Sequence, residues 1–528
     1  MEGGARGRSP WIVGAGDNGG RQPPWWVGRG TEPAHGARSQ ELEADEPPSP
    51  PGNGWSSPTN GFGRERPETG RTRSIWSGAP YFVVAAGVFA IMFASSHWFP
   101  TPLLSRALVP VFGLFATIGA SRYLLAKHPD EPWLGWIFVV AVIAKEIASY
   151  LRYSTLVNSY GEVGDATVFN TYGQRYWLFW TGRSKLVSIL PDVKKSNFLR
   201  FFTGIVYYLF GNDMIAGFLV FGLIAFVGSY LWYRATVEAV PFLDKRLYFL
   251  VVMFVPSILF WPSSIGKEAL MQFAIGSAAL ATAHLLNGKL LRGLLVGIPG
   301  AWLMWVVRPH LLALVLLAAG PAYLIGRGPR ARGDAPISTS LIRPIGLIVI
   351  GFILAFAITQ GAKGLGLPSL TLGSVNAELE QTSLQTSQGG SAFNTGNTQL
   401  SPLRLPQGMV TVLLRPFPWE APGFQQKLAS LEGIALVAFA FIRRRSIAVS
   451  LRHIRIVPFL FYCWVLTILY SLTFQAFGNF GLLDRQRSLV LPALYVLLCL
   501  DWRKAREFDD ERRQRAEFRR AEYARGVR

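Results

Sequence analysis

Cysteine is nearly absent from this chain: there are 2 in 528 residues, Cys463 and Cys499, each inside an apolar stretch. That excludes a disulfide-stapled scaffold and a zinc site built on paired cysteines, and both read as buried small hydrophobes. Histidine is scarce too, at 6, with no Cys/His cluster. The opening residues, MEGGARGRSPWIVG, hold no uninterrupted apolar run, so no cleavable signal peptide is expected and the first membrane helix does the targeting. Acidic residues are few: 32 Asp and Glu stand against 52 Lys and Arg, a net charge of +20. In a soluble protein that excess would raise the question of nucleic acid. Here much of it falls in short loops and the C-terminal tail, the pattern of a membrane protein with its basic loops inside, and no nucleic-acid partner is expected. Residues 1–77 are poor in apolar runs and rich in Gly, Pro, Arg and Ser. A run such as EADEPPSPPGNG cannot bury enough apolar surface to offset the entropy of ordering, so this region reads as a disordered cytoplasmic tail, its scattered Trp25, Trp26 and Trp55 included.

What is present is hydrocarbon. Half the residues are apolar and mean hydropathy is +0.28 despite polar ends. Apolar stretches long enough to cross a bilayer as helices recur through residues 78–503. Spans are read at 79–99, 107–126, 133–151, 214–234, 247–263, 268–286, 290–307, 309–327, 341–359, 430–442, 455–475 and 488–502. The piece 199–211 is too short to cross and reads as re-entrant or interfacial. The expected fold is therefore an all-α polytopic membrane bundle of about twelve transmembrane helices. With both termini inside, alternation places Lys127, Lys245/Arg246, Lys289/Arg292, the 327–332 arginines, Arg443–Arg445, Arg452 and Arg455 on the cytoplasmic face of the plasma membrane. Residues 504–528 read as a charged, solvated cytoplasmic helix.

The loops left outside, 152–198 and 361–428, are long and polar, as functional or disordered loops are. In YGEVGDATVFNTYGQRYW, Glu162 and Asp165 are three apart, with Arg175 downstream. A carboxylate there suits a general base or a ligand for a divalent metal; two solvated loop acids explain the pair as well. In FWPSSIGKE, Pro262 and Gly266 suit a tight turn, Ser263 or Ser264 suits a helix cap, and Lys267 falls at the start of the next span. A helix N-terminus with a lysine seats phosphate; a lysine snorkelling to the interface is the equal alternative. VVRPHLLA puts Arg308 and His310 near the hydrocarbon, where a charge is costly unless it is paired or functional. His310 alone reads as structural. Lys145 and Glu146, inside the third span, either pair with neighbouring helices or line a cavity. LLRPFPWEAPG carries Arg415 and Glu420, and FGNFGLLDRQRSLVLP carries Asp484, Arg485 and Arg487 before the last span. Arginine forks suit phosphate oxygens. Aromatic rings with carboxylates and amides suit sugars, so the outer segments together fit a lipid-linked sugar entering from the bilayer.

Gly164-Asp165-Ala166 with Tyr172, FWPSSIGKE, VRPH, LLRPFPWE and GNFGLLDRQR resemble segments of the multi-spanning sugar-transfer and polysaccharide-polymerase proteins of bacterial envelopes, the Wzy-like polymerases and C-superfamily glycosyltransferases. The resemblance spans roughly residues 80–500. It implies transfer or polymerisation of polyprenyl-phosphate-linked sugars on the outer face of the membrane. It also implies Asp165 or Glu162 as base or metal ligand, with Lys267, Arg308, Arg485 and Arg487 on phosphate. C-superfamily enzymes usually carry their acidic loop after the first span; here it follows the third, which favours the polymerase-like branch. The competing readings are a flippase for the same lipid-linked glycans and a scaffold for envelope-assembly partners.

Overall fold

A computed structural model describes residues 75–98, 102–184, 194–325, 355, 359, 371–387, 391–394 and 402–525. The expected tail 1–77 (all but Ile75–Ser77), the arginines at 327–332 and nearly all of the expected span 341–359 lie outside them. The described residues are helical, with no strand among them beyond two isolated bridges, Leu243 to Leu500 and Ala392 to Asn479.

In chain order the helices are α1 (Ala79–Trp98), α2 (Pro102–Lys127), α3 (Trp133–Asn158), α4 (Asp165–Trp180), α5 (Ser196–Phe210) and α6 (Met214–Ala239). Then come α7 (Lys245–Phe254), α8 (Pro256–Phe260), α9 (Lys267–Leu286), α10 (Leu290–Val307), α11 (Pro309–Ile325) and α12 (Leu372–Thr386). The last are α13 (Leu405–Leu414), α14 (Phe424–Ile442), α15 (Arg444–Arg452), α16 (Pro458–Phe474), α17 (Phe480–Leu498) and α18 (Trp502–Ala524). Side-chain caps set several starts: Asp213, Asp244, Asn479 and Asp501 accept backbone N–H groups at the beginnings of α6, α7, α17 and α18.

Among the described residues, 7 helices are long and apolar enough to cross a membrane, against the twelve spans expected. They are α1, α2, α3, α6, α9, α10 and α14; α11, α13 and α16 are apolar but shorter. The differences have local causes. The expected span 247–263 is broken at Pro256, which lacks the N–H to continue α7 and leaves Val255 extended. The last expected span starts eight residues early, because Asn479 caps the chain there, so Asp484, Arg485 and Arg487 lie inside α17 rather than ahead of it. Both loops expected outside contain helix: α4 fills the middle of 152–198, and α12 and α13 occupy parts of 361–428.

The core is built on α6 and α9, whose Gly228 and Gly276 pass so close that a Cβ on Gly276 would meet the Gly228 carbonyl at 2.1 Å. Small residues bring backbones together where lipid offers no hydrophobic drive. Cys463 and Cys499 are both free and fully buried.

Charged groups sort to the two ends of the bundle. At one end Lys245 pairs with Glu131, His284 and Lys289 both reach Glu238 at 2.8 Å, and Arg443 donates to the Leu498 and Leu500 carbonyls. There His453 meets Asp509 at 3.1 Å and α18 begins. The starts of α4, α9 and α17 and the end of α10 meet at the other end.

Candidate functional site

The α3–α4 turn opens the site. Gly161 and Glu162 both take positive φ, +57° and +62°, a conformation glycine tolerates and glutamate does not favour. Gly164 then lets Asp165 begin α4. Across from it the α8–α9 turn delivers Trp261, Ser264 and Gly266. Gly266 is the N-cap of α9 with no side-chain cap, contrary to the expected serine; Ser263 instead donates to the Leu259 carbonyl at 2.5 Å. The leading N–H groups of α9 therefore carry no serine or threonine lid, and Lys267 and Glu268 stand in its first turn.

These elements enclose a cavity of about 40 Å³ lined by Arg152, Tyr160, Asp165, Trp261, Lys267, Glu268 and Arg485, among others. Its cations are unusual. Arg152 is 7% exposed, and its Nε and Nη1 have no hydrogen-bond partner; neither does the buried Nε of Arg485. Both guanidiniums lie within cation–π reach of one indole: Arg152 is 4.9 Å and Arg485 5.3 Å from the Trp261 ring. Arg152 also approaches the Tyr160 ring at 5.9 Å and the Phe260 ring at 5.3 Å. Aromatic faces do not satisfy N–H donors, and a buried unsatisfied charged donor costs more than a neutral one. Such donors suit the oxygens of an anion, and the one carboxylate beside both arginines in the lining is Glu268, which is bonded to Arg308.

Glu268 joins this cavity to a polar network. Arg308 Nη2 donates to Glu268 Oε1 at 2.8 Å, Arg308 Nη1 donates to Gln486 Oε1 at 2.9 Å, and the Tyr470 hydroxyl donates to the same oxygen at 3.1 Å. Beside it lies a second cavity of about 250 Å³ that shares Tyr160 and Trp261 and adds Ser391, Gln425, Gln426, Gly481 and Asp484. The Tyr160 hydroxyl donates to Gln425 across the boundary.

Of the residues singled out in the sequence, Asp165, Lys267 and Arg485 line the first cavity, and Arg308 reaches it through Glu268. The others sit elsewhere. Glu162 is exposed on the turn, away from the lining, and its carbonyl accepts from Thr167. Arg175 is exposed over the Tyr172 ring at 5.1 Å. His310 packs against Phe474 with its Nδ1 buried and unpartnered. Arg415 and Glu420 neutralise each other through two hydrogen bonds, and Arg415 stacks on Phe393 at 4.2 Å. Burial resists the charge on Glu420, yet the bonds from Arg415 and the Phe417 N–H hold its carboxyl below the usual range.

Arg487 is 1% exposed, and all its contacts are inside the protein, though its Nε has no hydrogen-bond partner. It lies 3.1 Å from Asp484 and 4.0 Å from Glu432, and donates to Ser257 and to the Leu413 and Arg415 carbonyls at the end of α13. A cation on the carbonyl end of a half-length helix satisfies its dipole, which is a structural duty.

Sequence reasoning missed Arg152, Tyr160, Trp261 and Glu268. The signal for the last two was present inside FWPSSIGKE; Arg152, a single arginine near the end of an apolar helix, reads as a snorkelling residue. Among the described residues no group of three or more His, Cys, Asp or Glu converges to hold a metal ion. Compared with known proteins, the chain matches no family model, no curated protein and no solved structure.

Proposed function

We propose that this protein transfers or polymerises lipid-linked sugars at the outer face of the cytoplasmic membrane, with the lipid phosphate seated between Arg152, Arg485 and Lys267. The observation that carries the reading is the pair of arginines, Arg152 buried and Arg485 half-buried, that line one cavity at the start of α9 with buried N–H donors left unpartnered. Guanidinium forks and a helix N-terminus both select phosphate oxygens. The adjoining 250 Å³ cavity, with two glutamines, a serine and two aromatic rings, has the size and lining of a sugar subsite. An apolar groove of about 470 Å³ between α5, α6, α9 and α10 suits a hydrocarbon tail. Its Leu270 is three residues, about 4.5 Å of helix rise, from Lys267.

In this reading Asp165 accepts the proton of an acceptor hydroxyl. That oxygen attacks the anomeric carbon, the carbon–oxygen bond to phosphate breaks, and the cations take up the charge of the leaving phosphate. The end carrying Lys245, Lys289 and Arg443–Arg445 faces the cytoplasm, as basic loops do. Asp165→Asn, Arg308→Ala and Arg485→Ala are each expected to abolish polymer formation in cells while the protein is still produced. Full activity in all three would sink the proposal.

One feature favours a second reading, a flippase for the same lipid. Interrupted helices are common at transporter binding sites, and here α7 and α8 are broken at Pro256 while α13 ends against the buried Arg487. Accumulation of lipid-linked precursor on the inner leaflet of the Arg485→Ala strain would select this reading; accumulation on the outer leaflet selects the transferase.

A further inference from the structure

Helix α8 is only 5 residues long, with Pro256 at its start, and cannot hold itself together by its own ladder. Charges from three other helices grip it at its ends. At its start the Ser257 N–H donates to Glu432 Oε2 of α14 at 2.8 Å, and the Ser257 hydroxyl accepts from Arg487 at 3.3 Å. At its end Lys145 of α3, 3% exposed, donates to the Ile258 carbonyl at 3.1 Å and the Leu259 carbonyl at 3.0 Å. The signs match the helix: a carboxylate at exposed N–H groups and an ammonium at exposed carbonyls. Trp261, the residue that follows α8, carries the ring approached by both Arg152 and Arg485. Neither Lys145 nor Glu432 lines the anion cavity.

We infer that Lys145 and Glu432 are positioning residues of the anion pocket, acting from opposite ends of α8 to fix Trp261 against the two arginines. This rests on the phosphate-binding reading above. A lysine and a glutamate buried in different helices are costly, and here each is satisfied by backbone that only a broken helix makes available. The break at Pro256 thereby acquires a purpose: it frees Ser257 N–H and the α8 carbonyls to be held from outside. Loss of either grip lets Trp261 drift and leaves the guanidiniums without their platform.

The test is the affinity of the purified full-length protein in nanodiscs for inorganic pyrophosphate, measured by titration calorimetry. Lys145→Met and Glu432→Leu are each expected to weaken binding tenfold or more, while Glu432→Gln, which keeps an acceptor for Ser257, loses less than threefold. On a Trp261→Ala background, Lys145→Met is expected to change affinity less than twofold, because its effect passes through the indole. A merely structural lysine would not show that dependence. Equal tenfold losses on both backgrounds would overturn the inference and leave the phosphate site standing. Should Lys145→Met fail to fold, the Glu432 pair decides alone: equal losses in Glu432→Leu and Glu432→Gln overturn the inference, and unequal losses in that order support it. Absence of saturable pyrophosphate binding by the wild-type protein would remove the phosphate reading itself, and this inference with it.

Discussion

The two ends of this bundle use charge in opposite ways. At the basic end the cations have answers nearby: Lys245 has Glu131, Lys289 has Glu238, and Arg443 has the Leu498 and Leu500 carbonyls. At the other end Arg152, buried, and Arg485, half-buried, lie beside an aromatic ring, and Nε and Nη1 of the first and Nε of the second meet no acceptor. The first arrangement orients and fastens helices. The second is incomplete by itself, and a buried incomplete charge is the expensive kind. Within the second end a milder contrast recurs at short range, for Arg487, two residues from Arg485, has two carboxylates beside it and three protein acceptors for its Nη groups, although its Nε too is unpartnered.

The sharpest way to break the contrast is to remove one arginine from each class at that end. Arg152→Ala is expected to lower the proposed sugar transfer about 100-fold or more by losing leaving-group stabilisation. It should change unfolding in detergent less than Arg487→Ala does, because the one side-chain hydrogen bond it gives up is to Tyr160, which keeps its bond to Gln425, and no carboxylate loses a partner. Arg487→Ala should do the reverse in stability. It strands Asp484, takes the cation from beside Glu432 and uncaps α13, a loss of about 3–5 kcal/mol by chemical unfolding. If Arg152→Ala proved as destabilising as Arg487→Ala, the distinction between them would disappear.

A packing change comes next. Gly276→Val drives a side chain into the Gly228 carbonyl and should cost about 1–3 kcal/mol or prevent assembly of α6 on α9, read by thermal unfolding. Labelling addresses the ends directly. A single cysteine at Val163, 80% exposed, should react with an impermeant reagent on intact cells, and one at Arg513 should react only after permeabilisation. The native cysteines are buried and stay silent.

The smallest effect concerns Glu420. Its folded carboxyl titrates below the unfolded value, so its contribution is full above about pH 4.3 and fades as pH falls through the lower folded value. The stability gap between wild type and Glu420→Gln should narrow below that pH. A gap that widened on acidification would contradict the Arg415 pairing.

How much of this could be read from sequence depended on the length of each signal. The long apolar runs that became α1, α2, α3, α6, α9 and α10 announce themselves, because crossing a bilayer demands some twenty such residues. Helix α4 escaped detection, since its DATVFNTYGQRYWLFW mixes polar and aromatic groups as loops also do. The break at Pro256 was hidden inside a continuous hydrophobic run. For the site, Asp165, Lys267 and Arg485 stood out as charges beside turns. Arg152 did not, because only tertiary packing brings the end of α3 against Trp261. Arg415, Glu420 and Arg487 looked equally available in sequence; their partners became visible only in three dimensions.

A cryo-electron microscopy structure of the purified protein with inorganic pyrophosphate puts the central claim to its most direct test. Phosphate density is expected to bridge the Arg152 and Arg485 guanidiniums at the start of α9, within hydrogen-bond distance of both. An empty cavity at saturating pyrophosphate, with both guanidiniums bonded to protein carbonyls or carboxylates, would contradict it.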